Sequence, residues 1–204
     1  MRINEIEIPD TIDGKPTRNS LGKLIHPTIE GIRNFWRWFG DSKVLDSQGR
    51  PLVVYHGTIA DFEYFDNSKT GSNDRGLWGR GHYFSSVSNN ANSYALRQGD
   101  ESQVILAYVS IKNPLVLKTG NDLIIRLPDG TNYKDFVGPN LDGTKIKNIA
   151  ISGNHDGVIQ FRQNGMIGDI VAYNSNQIKS AIGNNGNFSV SSNKITERNK
   201  NANK

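Results

Sequence analysis

The sequence predicts an α+β fold centred on antiparallel sheet, and two observations carry that expectation. Strand-like runs are numerous but short: "LVVYH" at 52–56, "HYFSS" at 82–86, "QVILAYVSI" at 103–111, "GVIQF" at 157–161 and "DIVAY" at 169–173. Helical patterns are few and modest, and no internal repeat is present. Short strands joined mostly by turns favour antiparallel pairing with helices set to the side.

Residues 1–26 mix Pro, Gly, Asp, Asn and Lys with few apolar residues and read as an extended arm. "PTIEGIRNFWRWFG" then places Ile29, Ile32, Phe35 or Trp36, and Phe39 at helical spacing, with Pro27 near the start and Gly40 just past the end. Its aromatic stripe is expected to face the core. "DSQGRP" is a turn ahead of "LVVYH". After "HYFSS", "SNNANSYALRQ" reads as a helix with Ser88 as N-cap. "QVILAYVSI" is apolar enough to be buried on both faces. "LIIRLPDGTNYKDF" reads as a hairpin around Asp129-Gly130, and "TKIKNIAISG" as a short helix closed by Gly153. The asparagine-rich "GNNGNFSVSSN" is expected to leave the fold. The domain plan is therefore an arm over 1–26, a domain over 27–190 and a disordered basic tail over 191–204.

Composition narrows the function classes. The 204 residues are 35% hydrophobic and 22% charged, which suits one globular domain with a real core. No apolar run approaches the length of a membrane span and no charged-then-apolar leader opens the chain, so a cytoplasmic protein without membrane contact is expected. Cysteine is absent, which removes disulfides, thiolate metal sites and cysteine nucleophiles. The four histidines show no H-E-x-x-H pairing, so no metal is expected. The net charge is +4, but Lys194, Arg198, Lys200 and Lys204 against Glu197 place +3 of it in the tail. Residues 1–192 carry only +1, which does not describe a nucleic-acid groove.

Three stretches carry chemistry-bearing residues. His56-Gly57-Thr58 ends the first convincing strand. "GRGHYFSSVSNNANSYA" frames Tyr83 with Gly79 and Gly81 and brings Tyr94 eleven residues later. "IGDIVAYNSNQIKSA" leads a strand with Asp169 and has Gln177 beyond its far end. Singly, each has a plainer reading: a hydrogen-bonded core histidine, packing tyrosines, a carboxylate capping a turn. The early loop, roughly 59–80, holds Phe62, Tyr64, Phe65 and Trp78, which either pack, close over a ligand or contact a target.

In order and together, these stretches resemble the ADP-ribosyltransferase superfamily, in its H-Y-E branch of diphtheria toxin and the poly(ADP-ribose) polymerases. "FWRWFGDSKVLDSQGRPLVVYHGT" and "NQIKSAIGNNGNF" look closer still to the transferase modules of bacterial and phage polyvalent or effector proteins, over roughly residues 28–188. The resemblance implies a split antiparallel sheet with peripheral helices. It implies NAD as co-substrate, cleaved between nicotinamide and ribose through an oxocarbenium-like state, with ADP-ribose passed to an acceptor.

On that resemblance, His56 bonds the adenosine ribose and the backbone of Gly57 grips the carboxamide, where a missing side chain permits close approach. Thr58 completes the motif. Tyr83 and Tyr94 flank the nicotinamide ring, whose positive charge suits aromatic faces. Asp169 takes the place of the family's glutamate, one methylene shorter, with Asp156 the next carboxylate in line. Ala91 stands where the polymerases have a carboxamide-binding serine, leaving Ser85 or Ser93 to substitute. The arginine-modifying branch carries a paired E-x-E or Q-x-E, and Ile167-Gly168-Asp169 lacks its first member. The expected activity is mono-ADP-ribosyl transfer to a macromolecule, protein ahead of nucleic acid, by a toxin, effector or phage protein. A cognate immunity or antitoxin protein is the further partner such an effector would have. NAD glycohydrolysis, or a catalytically weak NAD-binding module, are the alternatives.

Overall fold

In the computed structural model, described over residues 7–58, 63–70, 76–90 and 103–197, the chain folds around one eight-stranded sheet. A small hairpin, β1 (Thr11–Ile12) and β2 (Lys15–Pro16), precedes helix α1 (Ile29–Phe39). Then come β3 (Val54–Thr58), β4 (His82–Ser85), β5 (Gln103–Val109), β6 (Pro114–Thr119) and β7 (Ile125–Arg126). Helices α2 (Tyr133–Val137) and α3 (Thr144–Ser152) follow, and β8 (Gly157–Phe161), β9 (Ile167–Ala172) and β10 (Ile178–Ser180) complete the sheet. Its order is β10-β5-β3-β4-β9-β8-β6-β7, antiparallel throughout except for the parallel pair β6–β8. The α+β class and the largely antiparallel sheet expected from the sequence are both present.

The sheet has one weak seam. β3 holds β5 through five register pairs, and β4 holds β9 through four. Between β3 and β4 there is a single pair, Tyr55↔Ser85. Beyond it the C-terminal end of β3 and the N-terminal end of β4 carry no ladder, which opens the sheet at His56, Gly57 and Tyr83.

Two cores lie against the sheet. The larger sits under α1, where Ile32, Phe35 and Phe39 are buried to the last atom. The helix starts because the Thr28 side chain accepts the Gly31 N–H (3.1 Å), and stops at Gly40, whose φ of 56° is left-handed. Phe35 meets Tyr108 of β5 edge-on at 4.8 Å, and Tyr108 in turn accepts a hydrogen bond from Asn19 (2.8 Å). Ile12 and Ile25 of the arm join this core, so the arm is tied down along the helix. The second core is built by α2 and α3 on β6, β8 and β9, around Leu115, Leu117, Ile146 and Val158.

Local expectations differ from the structure in three places, and a fourth is described only in part. The Asp129-Gly130 turn forms, but the segment after it folds as α2, because Asn132 caps the Lys134 N–H (2.9 Å). Residues 88–90 are helical, and the rest of "SNNANSYALRQ" lies outside the described residues. The asparagine-rich segment does not leave the fold: Phe188 is buried against Trp38 and Phe35. Nor is the described part of the tail loose. Ile195 is buried, the Ser180 N–H donates to its carbonyl, and its own N–H donates to Glu63 (both 2.9 Å). Lys179 of β10 is fully buried, and its ammonium donates to the carbonyls of Ser192 (2.9 Å) and Lys194 (3.1 Å) and to Glu197. A lysine inside a strand pattern gives no local hint of this; an ammonium without solvent needs acceptors, and the C-terminal segment supplies them.

Candidate active site

The seam between β3 and β4 gathers three of the residues singled out in the sequence. His56 lies on β3 one residue past the last ladder pair. Its Nδ1 is 2.7 Å from the Tyr83 carbonyl oxygen. A carbonyl only accepts, so Nδ1 carries the proton and the neutral ring presents Nε2 as an acceptor. Burial pushes the His56 pKa down, against a smaller upward effect of that hydrogen bond, and favours the neutral form. The ring meets Phe65 edge-on at 4.9 Å and Phe84 at 5.5 Å. Phe65, from the early loop, also meets His82 at 5.1 Å, so its part in the described structure is packing.

Gly57 and Thr58 are both buried and pair with Val104 and Gln103 on the outer neighbour β5. On the inner side, Tyr83 pairs with Val171 and Ser85 with Asp169. Strand alternation therefore puts Tyr83, Ser85 and Asp169 on one face, that of the second core. The Ser85 hydroxyl oxygen accepts from the Val87 N–H and the Asn90 amide (both 3.2 Å), tying it to the start of the next helix. Tyr94, Ala91 and Ser93 lie outside the described residues.

Trp78 connects Tyr83 to Asp169. The Tyr83 hydroxyl accepts from the Trp78 backbone N–H (2.9 Å) and donates to the Gly79 carbonyl (2.7 Å). The Trp78 indole N–H donates to Asp169 Oδ2 at 3.2 Å. Asp169 is half-buried, and among the described residues its Oδ1 accepts no hydrogen bond. The sequence offered packing or ligand cover for Trp78; its polar reach across the sheet was not legible. The only local signal is its place five residues before Tyr83 in "WGRGHYF".

Asp169 also stands on a β-bulge. Ile159 pairs with Ile170 and Phe161 with Ile167, so Gly168 and Asp169 together face Gln160. That irregularity explains why Ile167 and Ile170, three apart, both reach the larger core. Ile167 is buried there, so no polar partner precedes Asp169 at that position. Asp156 is at the opposite end of the β8–β9 ladder and accepts the N–H groups of Lys112 (2.8 Å) and Asn113 (2.9 Å), a turn-capping role. Gln177 is likewise structural: its oxygen takes the Tyr173 and Asn174 N–H groups, and its amide donates to Ser110 and Asp156.

Among the described residues, no group of three or more His, Asp or Glu side chains is placed to hold a metal ion, and no helix is long and apolar enough to cross a membrane. The seam thus has a neutral histidine whose ring packs with Phe65 and Phe84 on the larger-core face, while the tyrosine and the half-exposed carboxylate lie on the opposite face, Asp169 beside Ser85. Among curated proteins none matches this chain. The profile of the family ART-PolyVal, described as ADP-ribosyltransferase in polyvalent proteins, matches residues 46–188, a span that runs from the turn before β3 to Phe188. The chain belongs to this family of ADP-ribosyltransferase domains.

Proposed function

We propose that the chain is an NAD-dependent mono-ADP-ribosyltransferase of the H-Y-E kind, with His56, Tyr83 and Asp169 in the three signature roles. The observation that carries this reading is the half-exposed Asp169, held through Oδ2 by Trp78 with Oδ1 unbonded among the described residues, on the same face as Tyr83 and across from Ser85. A carboxylate held on one oxygen and open on the other suits a ribose hydroxyl. NAD supplies the glycosidic bond that breaks, nicotinamide leaving with the bonding pair. His56 then offers Nε2 to a ribose hydroxyl, and the Gly57 backbone meets the carboxamide. Tyr83 and Tyr94 flank the ring, with Ser85 on the Tyr83 face and Thr58 on the His56 face as further cofactor contacts. Asp169 orients the nicotinamide ribose and the incoming nucleophile.

A protein acceptor fits better than nucleic acid, because residues 1–192 carry a net charge of only +1. We further propose an effector or phage role, in the cytoplasm of the producing or target cell, with a cognate immunity protein as partner. The buried Ile12, Ile25 and Ile195 favour a transferase unit wider than 27–190.

The test is incubation of the chain with adenylate-labelled NAD and a cell lysate, with Asp169→Ala alongside. Label on protein that is lost in Asp169→Ala supports the reading. Nicotinamide release without labelled macromolecule supports glycohydrolysis instead. No release from wild type, with NAD still bound, supports a binding module. Transfer undiminished in Asp169→Ala rules out this carboxylate.

A further inference from the structure

Trp78 is fixed far more firmly than a loop residue needs to be. The residue is 2% exposed, and its ring meets Tyr133 of α2 edge-on at 4.8 Å. The Tyr133 hydroxyl donates to the Leu77 carbonyl at 2.6 Å. Gly76 has no room for a side chain, since a Cβ there would overlap the Tyr83 hydroxyl. Gly143, at the start of α3, lies so close to residues 76–79 that a Cβ would overlap the Gly76 carbonyl. Residues 76–79 are therefore wedged between β4 and the α2–α3 layer, and the indole N–H is delivered to Asp169 from a rigid support.

The other side of Asp169 is equally specified. A bulge bends its strand and re-aims the side chains it carries. A Cβ on Gly168 would overlap Gln160 Oε1, and Gln160 is held in place by bonds from its amide to Thr119 Oγ1 and the Phe161 carbonyl (both 2.7 Å).

We infer that Trp78 is a positioning residue for Asp169, and that this site is built around an aspartate. The inference rests on the reading of Asp169 as the catalytic carboxylate. The bulge re-aims the strand at the carboxylate, the indole N–H holds Oδ2, and among the described residues Oδ1 accepts no hydrogen bond. Glutamate at this position would add one C–C bond of about 1.5 Å. With the indole immobile, the longer carboxylate has to leave its donor or crowd it. The shorter residue is thus matched to its surroundings rather than a weakened copy of the family's glutamate.

Nicotinamide release measured on wild type, Trp78→Phe, Asp169→Glu and the double variant tests this. Phenylalanine keeps a ring against Tyr133 and removes only the donor. Because hydrogen bonds to ionised groups are the strong ones, Trp78→Phe is expected to lower kcat about tenfold or more, with KM for NAD within about twofold. Asp169→Glu should lower kcat in the wild-type background and lower it much less beside Trp78→Phe, a non-additive pair. A kcat for Trp78→Phe within about twofold of wild type, or a raised kcat for Asp169→Glu alone, overturns the inference. A second readout needs no turnover. The indole N–H resonance of Trp78, identified by its loss in Trp78→Phe, should move in Asp169→Ala; an unmoved resonance overturns the clamp. Should the wild type release no nicotinamide, the transferase reading falls while that resonance still decides whether Trp78 holds Asp169.

Discussion

His56 Nδ1 donates to the Tyr83 carbonyl across 2.7 Å, at the point where the β3–β4 ladder has stopped. A side chain here does what the next backbone N–H would have done in a continuous sheet. The seam can stay open without leaving that carbonyl unsatisfied.

This link makes His56 a residue with two separable effects. His56→Ala should cost about 1–3 kcal/mol of stability, because it removes the imidazole donor from a part-buried carbonyl. It should also weaken NAD binding, because Nε2 is lost with the ring. His56→Gln can restore a donor to Tyr83, so denaturant unfolding should recover while calorimetric NAD affinity does not. Equal recovery of both would mean that the imidazole has no direct part in binding.

Gly168 is the second point of leverage. Gly168→Ala forces Gln160 out of its two hydrogen bonds or flattens the bulge. A loss of about 1–3 kcal/mol is expected from overpacking, together with a fall in kcat as Asp169 is re-aimed. Gln160→Ala added to Gly168→Ala makes room for the methyl group and should recover much of both. Activity unchanged in Gly168→Ala would show that the bulge does not set the direction of the carboxylate.

The C-terminal segment should prove structural. Ending the chain after Ser189 strips Lys179 of Ser192, Lys194 and Glu197 together, leaving a fully buried ammonium without these acceptors. Breaking a buried pair on one side costs about 3–5 kcal/mol, and this truncation should cost at least that in urea unfolding. Glu197→Gln should cost less, because the two carbonyls remain. Burial also shields the pair from salt, so added salt should not reproduce the loss. Unfolding unaffected by the truncation would return residues 191–204 to the status of a loose tail.

Acid should destabilise the fold through buried His82 and part-buried His56. Burial lowers the His82 pKa from 6.5 to about 4, assisted by His56 and Lys147 and opposed by Asp66. The unfolded chain therefore binds the proton first. His82 contributes full stability above its unfolded pKa and loses it as pH falls toward about 4. His56, lowered in the same direction, adds to the effect. Unfolding midpoints should drop between about pH 7 and about pH 4.5. His82→Gln, which keeps a donor for Asn67, should flatten part of that drop. An identical pH dependence in His82→Gln would assign the effect to other groups.

The sequence by itself determined the parts of this protein that are encoded over a few neighbouring residues. The periodicity from Ile29 to Phe39, with Thr28 and Gly40 at its ends, is a helix under any packing that buries its stripe. Apolar runs at 52–56, 103–111, 157–161 and 169–173 read as strands of a sheet, and the motif order His56, Tyr83, Asp169 pointed to the family. What the tertiary structure decided depends on contacts between residues far apart in the chain. The Trp78–Asp169 hydrogen bond spans 91 positions and exists only because β4 and β9 pair in one register. The bulge at Gly168 is a mismatch of one residue between two strands, invisible in either strand alone. Phe188, Ile195 and Glu197 sit in polar, asparagine-rich surroundings that read locally as loop. They are ordered because Trp38, Ser180 and Lys179 present an aromatic face, a backbone donor and a buried charge that only those residues reach. Local pattern reports how a segment can fold; which groups it must satisfy is set by the surface it folds against.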